Sequence, residues 1–285
     1  MNPQVAGRLA QILGSAVVSA QSLHGGCVGE VYRVTLSDGM SFVAKVDASS
    51  APRLDIEGHM LGYLADHSPI PVPRVIHSEP SLLLMEFIDG ESRFDPRAQE
   101  HAAELLAALH GVRSDRFGFD GNTSIGGLPQ SNAWTASWTE FFAIQRLRDM
   151  AAQARAARRM GQDDVARIER FIEKLPTLVE EPPHPSLLHG DVWAGNVLAA
   201  NGTIAAFIDP AIYFGHPEIE LAFITLFGAF GEPFFKRYGE LRPIAPGFLE
   251  LRRDIYTLYP LLVHARLFGG GYADSIRAIL RRHGC

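Results

Sequence analysis

The 285-residue chain is poor in the features that mark exported or membrane proteins. Its two cysteines, Cys27 and Cys285, are too few for a disulfide framework, which points to a reducing compartment. The longest apolar run, 221–231, is too short to cross a bilayer. The N-terminus shows neither a basic n-region nor an apolar h-region. A net charge of −6 lacks the basic excess with which proteins meet nucleic acid or anionic lipid. Internal repeats and low-complexity segments are missing too. What is present is an ordinary globular chain, 47% hydrophobic and 20% charged, long enough to bury one large domain or two lobes. The expectation is a cytoplasmic monomer with neither membrane nor nucleic acid as partner.

Residues 3–13 carry helical apolar spacing, and 17–23 read as a strand. The run EVYRVTLSDGMSFVAKVD alternates on both sides of Asp38-Gly39, a strong hairpin signal. Helical spacing returns over 53–66. In SPIPVPRV each proline removes a donor and turns its predecessor away from helix, so an extended connector is expected. Strands over 74–77 and 82–87 flank a Glu79-Pro80 turn. Beyond residue 88 the character changes. Ala-, Leu- and Arg-rich stretches over 96–111, 137–160 and 163–179 predict helices. A second hairpin, NVLAANGTIAAFID, turns at Asn201-Gly202, and the chain after Glu218 is again mostly helical. The expected fold class is α+β with two lobes: a small antiparallel-sheet N-lobe with one helix (1–87) and a larger, mainly helical C-lobe (88–285).

The run LLHGDVWAGNVL places Asp191 and Asn196 five residues apart. Kinase catalytic loops space a base Asp and a metal-binding Asn in this way, and His189 holds the His position of the same pattern. Phosphoryl transfer needs a carboxylate to take the acceptor hydroxyl's proton and oxygen ligands for the magnesium on the nucleotide phosphates. Asp209, 13 residues after Asn196 and across the hairpin, supplies the second metal ligand. His-x-Asp alone arises by chance in many loops; the four positions together do not.

The N-lobe fits the same chemistry. In GGCVGEVYRV, Gly26, Gly29 and Val31 match the later half of a kinase phosphate loop, while His24 stands where its first Gly would be. Such glycines let backbone N–H groups approach phosphate oxygens. The next strand ends in FVAK, with Lys45 placed for the α- and β-phosphates and Glu57 on the following helix to orient it. A lysine at a strand end ordinarily snorkels to water. The order of loop, lysine, helix Glu and catalytic loop argues for a nucleotide site instead. In LLLMEFIDG, the connector through Phe87 would offer Glu86 C=O and Ile88 N–H to a purine, with Met85 behind it. Only seven residues separate Asp209 from the helix beginning at Pro217, too few for a protein kinase's activation segment. The cofactors implied are ATP and Mg²⁺, and the acceptor is a small molecule.

These motifs resemble the fructosamine (ketosamine) kinases, within the aminoglycoside and choline kinase-like part of the protein-kinase-like superfamily. HGDVWAGN is similar to the family's His-Gly-Asp-Leu-Trp-x-Gly-Asn, with Val192 for Leu, and DPAIYFGHPEIELAF to its Asp-Pro-Ala-x-Tyr-x-Gly-His-x-Glu run, with Glu220 where many relatives carry Asp. Residues 117–147 resemble its Gln-x-Asn-x-Trp and Trp-x-x-Phe-Phe element. The resemblance implies a protein-kinase-like fold and ATP-dependent phosphorylation of the sugar's third-carbon hydroxyl in a ketosamine, releasing the amine: deglycation, a repair activity. It implies further that Trp193 packs against the acceptor, that Gln130, Asn132 and Trp134 line the acceptor side, and that His189, His216 and Glu220 brace the catalytic loop. Cys27 stands where some relatives form a redox-sensitive, thiol-linked dimer. Two other functions fit part of the pattern. An aminoglycoside or choline phosphotransferase would share the catalytic loop, but a polycationic acceptor favours an acidic face, and 117–147 is aromatic and amide-rich. A catalytically inactive nucleotide-binding regulator would be expected to lack one of Lys45, Glu57, Asp191, Asn196 and Asp209, all of which are present.

Overall fold

The computed structural model describes residues 1–23 and 29–285, so His24, Gly26 and Cys27 lie outside the described residues. The N-lobe is one five-stranded antiparallel sheet, ordered β1 (Val17–Leu23), β2 (Glu30–Leu36), β3 (Ser41–Val46), β5 (Leu82–Glu86), β4 (Val75–Glu79). Side chains alternate across a strand, and this sheet uses both faces. Tyr32, Val34, Leu36, Ala44, Leu82 and Leu84 pack with Leu9 of α1 (Pro3–Leu13). The intervening Leu83 and Met85 pack with Leu54 and Leu61 of α2 (Leu54–His67) on the other face. The apolar run of β5 thus divides between two helices. Asn2 caps α1, its side chain accepting from Gln4 N–H at 2.9 Å. The β2–β3 turn is closed by Asp38, which accepts from Met40 N–H at 2.9 Å beside Gly39 at φ +87°.

The C-lobe packs helices around α9 (Arg253–Phe268), which is buried on almost every side from Ile255 to Val263. Such a helix belongs at the centre of a bundle rather than on its surface. Against it lie α7 (Pro217–Phe227), α10 (Tyr272–Arg282) and residues 149–156, while α6 (Gln162–Leu178) packs on α10 and α3 (Pro96–Leu109) packs on α8 (Glu232–Leu241). The stretch expected as one regular helix over 137–160 is interrupted: α4 (Trp138–Phe141) passes through a π-helical segment, Phe142–Arg148, into α5 (Asp149–Ala156). Among the described residues, no helix is long and apolar enough to cross a membrane.

Three two-stranded ribbons position the chemistry: β6 (Thr123–Ile125) with β7 (Leu128–Gln130), β8 (Ser186–Leu188) with β11 (Tyr213–Gly215), and β9 (Val197–Ala200) with β10 (Thr203–Phe207). The β8–β11 ladder pairs Leu188 with Tyr213, so the chain that leaves at Leu188 returns beside it. Everything between them is closed into one loop, which carries Asp191, Asn196 and Asp209.

Candidate active site

Lys45 is carried on β3 and pairs across that strand with Val31 and Leu83. Its ammonium is almost fully buried and does not snorkel. It donates to Glu57 Oε1 of α2 at 2.7 Å and to Asp209 Oδ1 of the C-lobe at 2.6 Å. Burial alone would lower its pKa, but the charges of Asp209 and Glu57 outweigh it and hold the group above the ordinary lysine value. A buried cation with two carboxylates is a fixed charge that joins the lobes.

Asp191 and Asn196 meet on the turn after β8. Asn196 Nδ2 donates to Asp191 Oδ2 at 2.8 Å and to the Asp191 carbonyl at 3.0 Å, through a single turn of 3₁₀ helix, Ala194–Asn196. Burial, with the charge of Asp209 adding to it, pushes the Asp191 carboxyl up to about 8, against the Asn196 hydrogen bond that lowers it. Asp209 sits at φ +52°, a strained backbone for a non-glycine residue and common at functional turns. Gly190 is at φ +86°, and a Cβ there would stand 2.1 Å from the Ala211 carbonyl oxygen. The Asp191 turn therefore lies directly on the segment that follows Asp209. Ala211 N–H closes the contact, donating to His189 O at 2.7 Å.

Glu220 holds this turn from beneath. Fully buried, it accepts from Gly190 N–H at 2.5 Å, from His189 N–H at 3.4 Å and from His110 at 2.8 Å, and His110 in turn meets Tyr238. Burial would raise its carboxyl; these donors, His110 foremost, hold it below the usual carboxylate value. His216 differs from the expectation. It accepts from Glu218 N–H at 3.1 Å and so caps α7, with its ring beside Trp138 and Tyr256 rather than bonded to the catalytic loop. Burial and the nearby Arg252 push it down to about 3, so it is neutral and able to accept. His189 is also buried, and its ring packs on Phe207.

A cavity of about 430 Å³ lies between the lobes. Gly29, Lys45, Glu57, Asp191, Trp193, Asn196 and Asp209 all line it. Gly29, at φ +66°, comes so close to β3 that a Cβ would stand 2.3 Å from Val46 O. Trp193 is 39% exposed, and its indole lies across Gly195, where a Cβ would come within 2.4 Å of the ring. Several lining residues carry no sequence motif: Asp47, Arg53 and Met60 from the N-lobe, and Ser124, Gly126, Gly127, Leu128 and Pro129 from the β6–β7 ribbon. The ribbon had one signal, a Gly-Gly turn between TSI and LPQ.

Gln130, Asn132 and Trp134 were expected on the acceptor wall, and the structure places them elsewhere. Gln130 and Asn132 are about 1% exposed, their amides bonded to the Ala211 carbonyl and to Thr123 of the ribbon itself. Trp134 stands outside the cavity, between Arg116 and Phe214. Met85 is buried in the α2–β5 cluster, Glu86 ends β5, and Phe87 and Ile88 begin the connector that follows, with the Arg33 guanidinium 4.0 Å from the Phe87 ring centre.

The donor set can be tested against a magnesium ion. Asn196 spends its amide nitrogen on Asp191, which leaves its hard carbonyl oxygen to face a cation. Asp209 supplies a carboxylate 30% exposed at the cavity. Magnesium characteristically takes one or two protein oxygens and completes its shell with phosphate and water, so this pair fits it.

The fold resembles an aminoglycoside phosphotransferase solved with ADP and hygromycin B, at TM-score 0.67 and 19% identity over 98% of each chain, a likeness of fold alone. A nearer solved structure, a "putative fructosamine-3-kinase" of Thermobifida fusca, gives TM-score 0.84 and 33% identity over 99% of this chain and 100% of that one. A rice (Oryza sativa subsp. japonica) protein-ribulosamine 3-kinase, chloroplastic, is 36% identical over 93% of this chain and 78% of its own. The family model "Fructosamine kinase" matches residues 1–283. A family match that spans both lobes, together with these relatives, establishes that the chain is a phosphotransferase acting on an alcohol group and belongs to the fructosamine kinase family.

Proposed function

We propose that the chain transfers the γ-phosphoryl group of ATP to the third-carbon hydroxyl of a ketosamine, and so initiates deglycation of an amino acid or protein. The observation that carries this is the convergence of Asp191, Asn196, Asp209 and the Lys45–Glu57 pair on one cavity. Asp191 takes the proton of the acceptor hydroxyl. An acid–base group works best with a pKa near the working pH, and burial beside Asp209 moves Asp191 towards it. Asn196 and Asp209 would hold magnesium, which when bound neutralises phosphate charge. Lys45 binds the α- and β-phosphates, and Gly29, packed on β3 at the cavity, lets the backbone approach them. The Met85–Ile88 connector takes the adenine edge. Trp193 offers an indole face to the sugar, and Leu128, Pro129 and Met60 exclude water from the acceptor side.

The test is nucleotide turnover with ATP and magnesium, comparing fructosyl-lysine, ribulosyl-lysine, kanamycin and choline. Turnover of one or both ketosamines above the other two supports the assignment. Turnover of kanamycin or choline without either ketosamine overturns it.

A further inference from the structure

The β6–β7 ribbon is a wall without a sheet behind it. A two-stranded ribbon is marginal by itself in water, yet its Ser124, Gly126, Leu128 and Pro129 line the cavity with Asp191. Two buried polar side chains hold it. Gln130 donates to the Ala211 carbonyl at 3.0 Å and to Thr123 Oγ1 at 2.8 Å, and accepts from the Tyr259 hydroxyl of α9 at 2.6 Å. Arg146, fully buried in the π-helical segment, donates to the Ser131 carbonyl and to Asn132 Oδ1, both at 2.7 Å. Asn132 then donates to Thr123 Oγ1 at 2.7 Å, closing the ribbon from its other strand.

Arg146 has no carboxylate within ion-pair distance among the described residues. Its guanidinium instead lies 3.8 Å from the ring centre of Tyr213 and 4.5 Å from that of Phe141. Cation–π contact and three carbonyl-type acceptors offset part of the cost of its burial, although its Nε finds no partner among the described residues. A π-helical segment re-aims side chains relative to a regular helix and is frequent at functional sites. Here it carries a cation that reads two consecutive residues after β7.

The far end of this network reaches the catalytic turn. Ala211, which accepts from Gln130, donates to His189 O and lies against Gly190 with no room for a Cβ between them. We propose that Gln130 and Arg146 are positioning residues. Acting through Ala211, they set the β6–β7 wall in register with Asp191, and so govern acceptor binding and turnover while nucleotide affinity stays with Lys45 and its partners. This rests on the reading that Asp191 serves an acceptor held in this cavity.

The test uses Gln130→Leu, which keeps the bulk but loses every hydrogen bond, with Arg146→Lys and Tyr259→Phe as milder variants of the same network. Three quantities are read on the full chain: kcat and KM for the ketosamine, KM for ATP, and hydrogen exchange of the amides within 123–130. An unsatisfied buried group costs enough that acceptor kcat/KM should fall about 10-fold in Gln130→Leu, with ATP KM changed by less than about 3-fold. Exchange over 123–130 should quicken about 10-fold. Tyr259→Phe and Arg146→Lys should move the same readouts in the same direction, and they carry the test if Gln130→Leu does not fold. Equal changes in both KM values, or a loss of thermal stability with acceptor kinetics unchanged, overturns the proposal. If the wild type turns over no ketosamine, the substrate reading fails separately. Exchange over 123–130 then still decides the network: unchanged rates in the variants refute it and faster rates support it.

Discussion

Gly190→Ala tests how tightly the catalytic turn is packed. At φ +86° an L-residue costs about 1–2 kcal/mol in backbone strain. The added methyl would also stand 2.1 Å from the Ala211 oxygen, a backbone atom that cannot swing aside as a side-chain tip could. Ala211 must therefore shift, which weakens its bonds to His189 O and from Gln130 by about 1 kcal/mol. The sum, about 2–3 kcal/mol, should lower Tm by roughly 4–12 °C at the few degrees per kcal/mol expected of a chain this size. Asp191 follows Gly190 directly, and misplacing a reacting group by about 1 Å costs on the order of 10²-fold in rate. Differential scanning calorimetry gives the first quantity, and nucleotide turnover per folded molecule gives the second. A variant within about 2 °C of wild type and within about 3-fold of its turnover would refute the packing argument.

Gly62→Ala is the counterpart. It lies within α2 with no atom within 4 Å of the new methyl, so it should stabilise by about 0.5–1 kcal/mol, visible as a small rise in Tm. Asp191→Asn should retain ATP binding in a fluorescent-nucleotide titration while turnover falls by at least about 10²-fold; near-wild-type turnover removes Asp191 from the role of base. Asp164 accepts two hydrogen bonds from Arg277, at 2.7 and 2.9 Å, and these hold its carboxyl below the ordinary value. A depressed carboxylate stabilises the fold above its unfolded pKa and loses that contribution as pH falls through the folded one. Asp164→Asn should therefore cost about 1–2 kcal/mol at pH 7, discounted for the half-exposed Arg277, with the gap to wild type closing below about pH 4 in thermal melts.

Much of the fold is legible along the chain because its signals are local. Asp38-Gly39 and Asn201-Gly202 turn hairpins where sequence places them, and α1, α2, α3 and α6 follow their apolar spacing to within a few residues. The π-helical segment is not legible, because no local preference requires it. It sits where Arg146 must reach carbonyls that belong to another part of the chain. The role of His216 fails for a similar reason. A histidine two residues before Glu218 caps its own helix as readily as it bonds to a distant loop, and only the packing of Trp138 and Tyr256 around its ring decides between them.

The same distinction divides the cavity. Asp191, Asn196 and Asp209 fall within 19 residues and are closed by the β8–β11 ladder, so spacing alone brings them near one another. The N-lobe adds Lys45 through a single long-range contact to Asp209. The wall we propose for the acceptor is different in kind. It is assembled from a ribbon at 123–130, a helix at 142–148, Tyr259 of α9 and the 209–212 segment, none of them neighbours in sequence. Polar residues such as Gln130 and Asn132 then look like ligand contacts, because an amide buried to hold a wall and one exposed to line it have the same sequence signature. What separates them is whether their partners lie within the chain, and here they do. The catalytic half of such a site can be fixed by one short motif while the acceptor half varies with the bundle around it. A fold shared at 19% identity with an aminoglycoside phosphotransferase therefore does not fix the acceptor, because function resides in the site rather than in the fold.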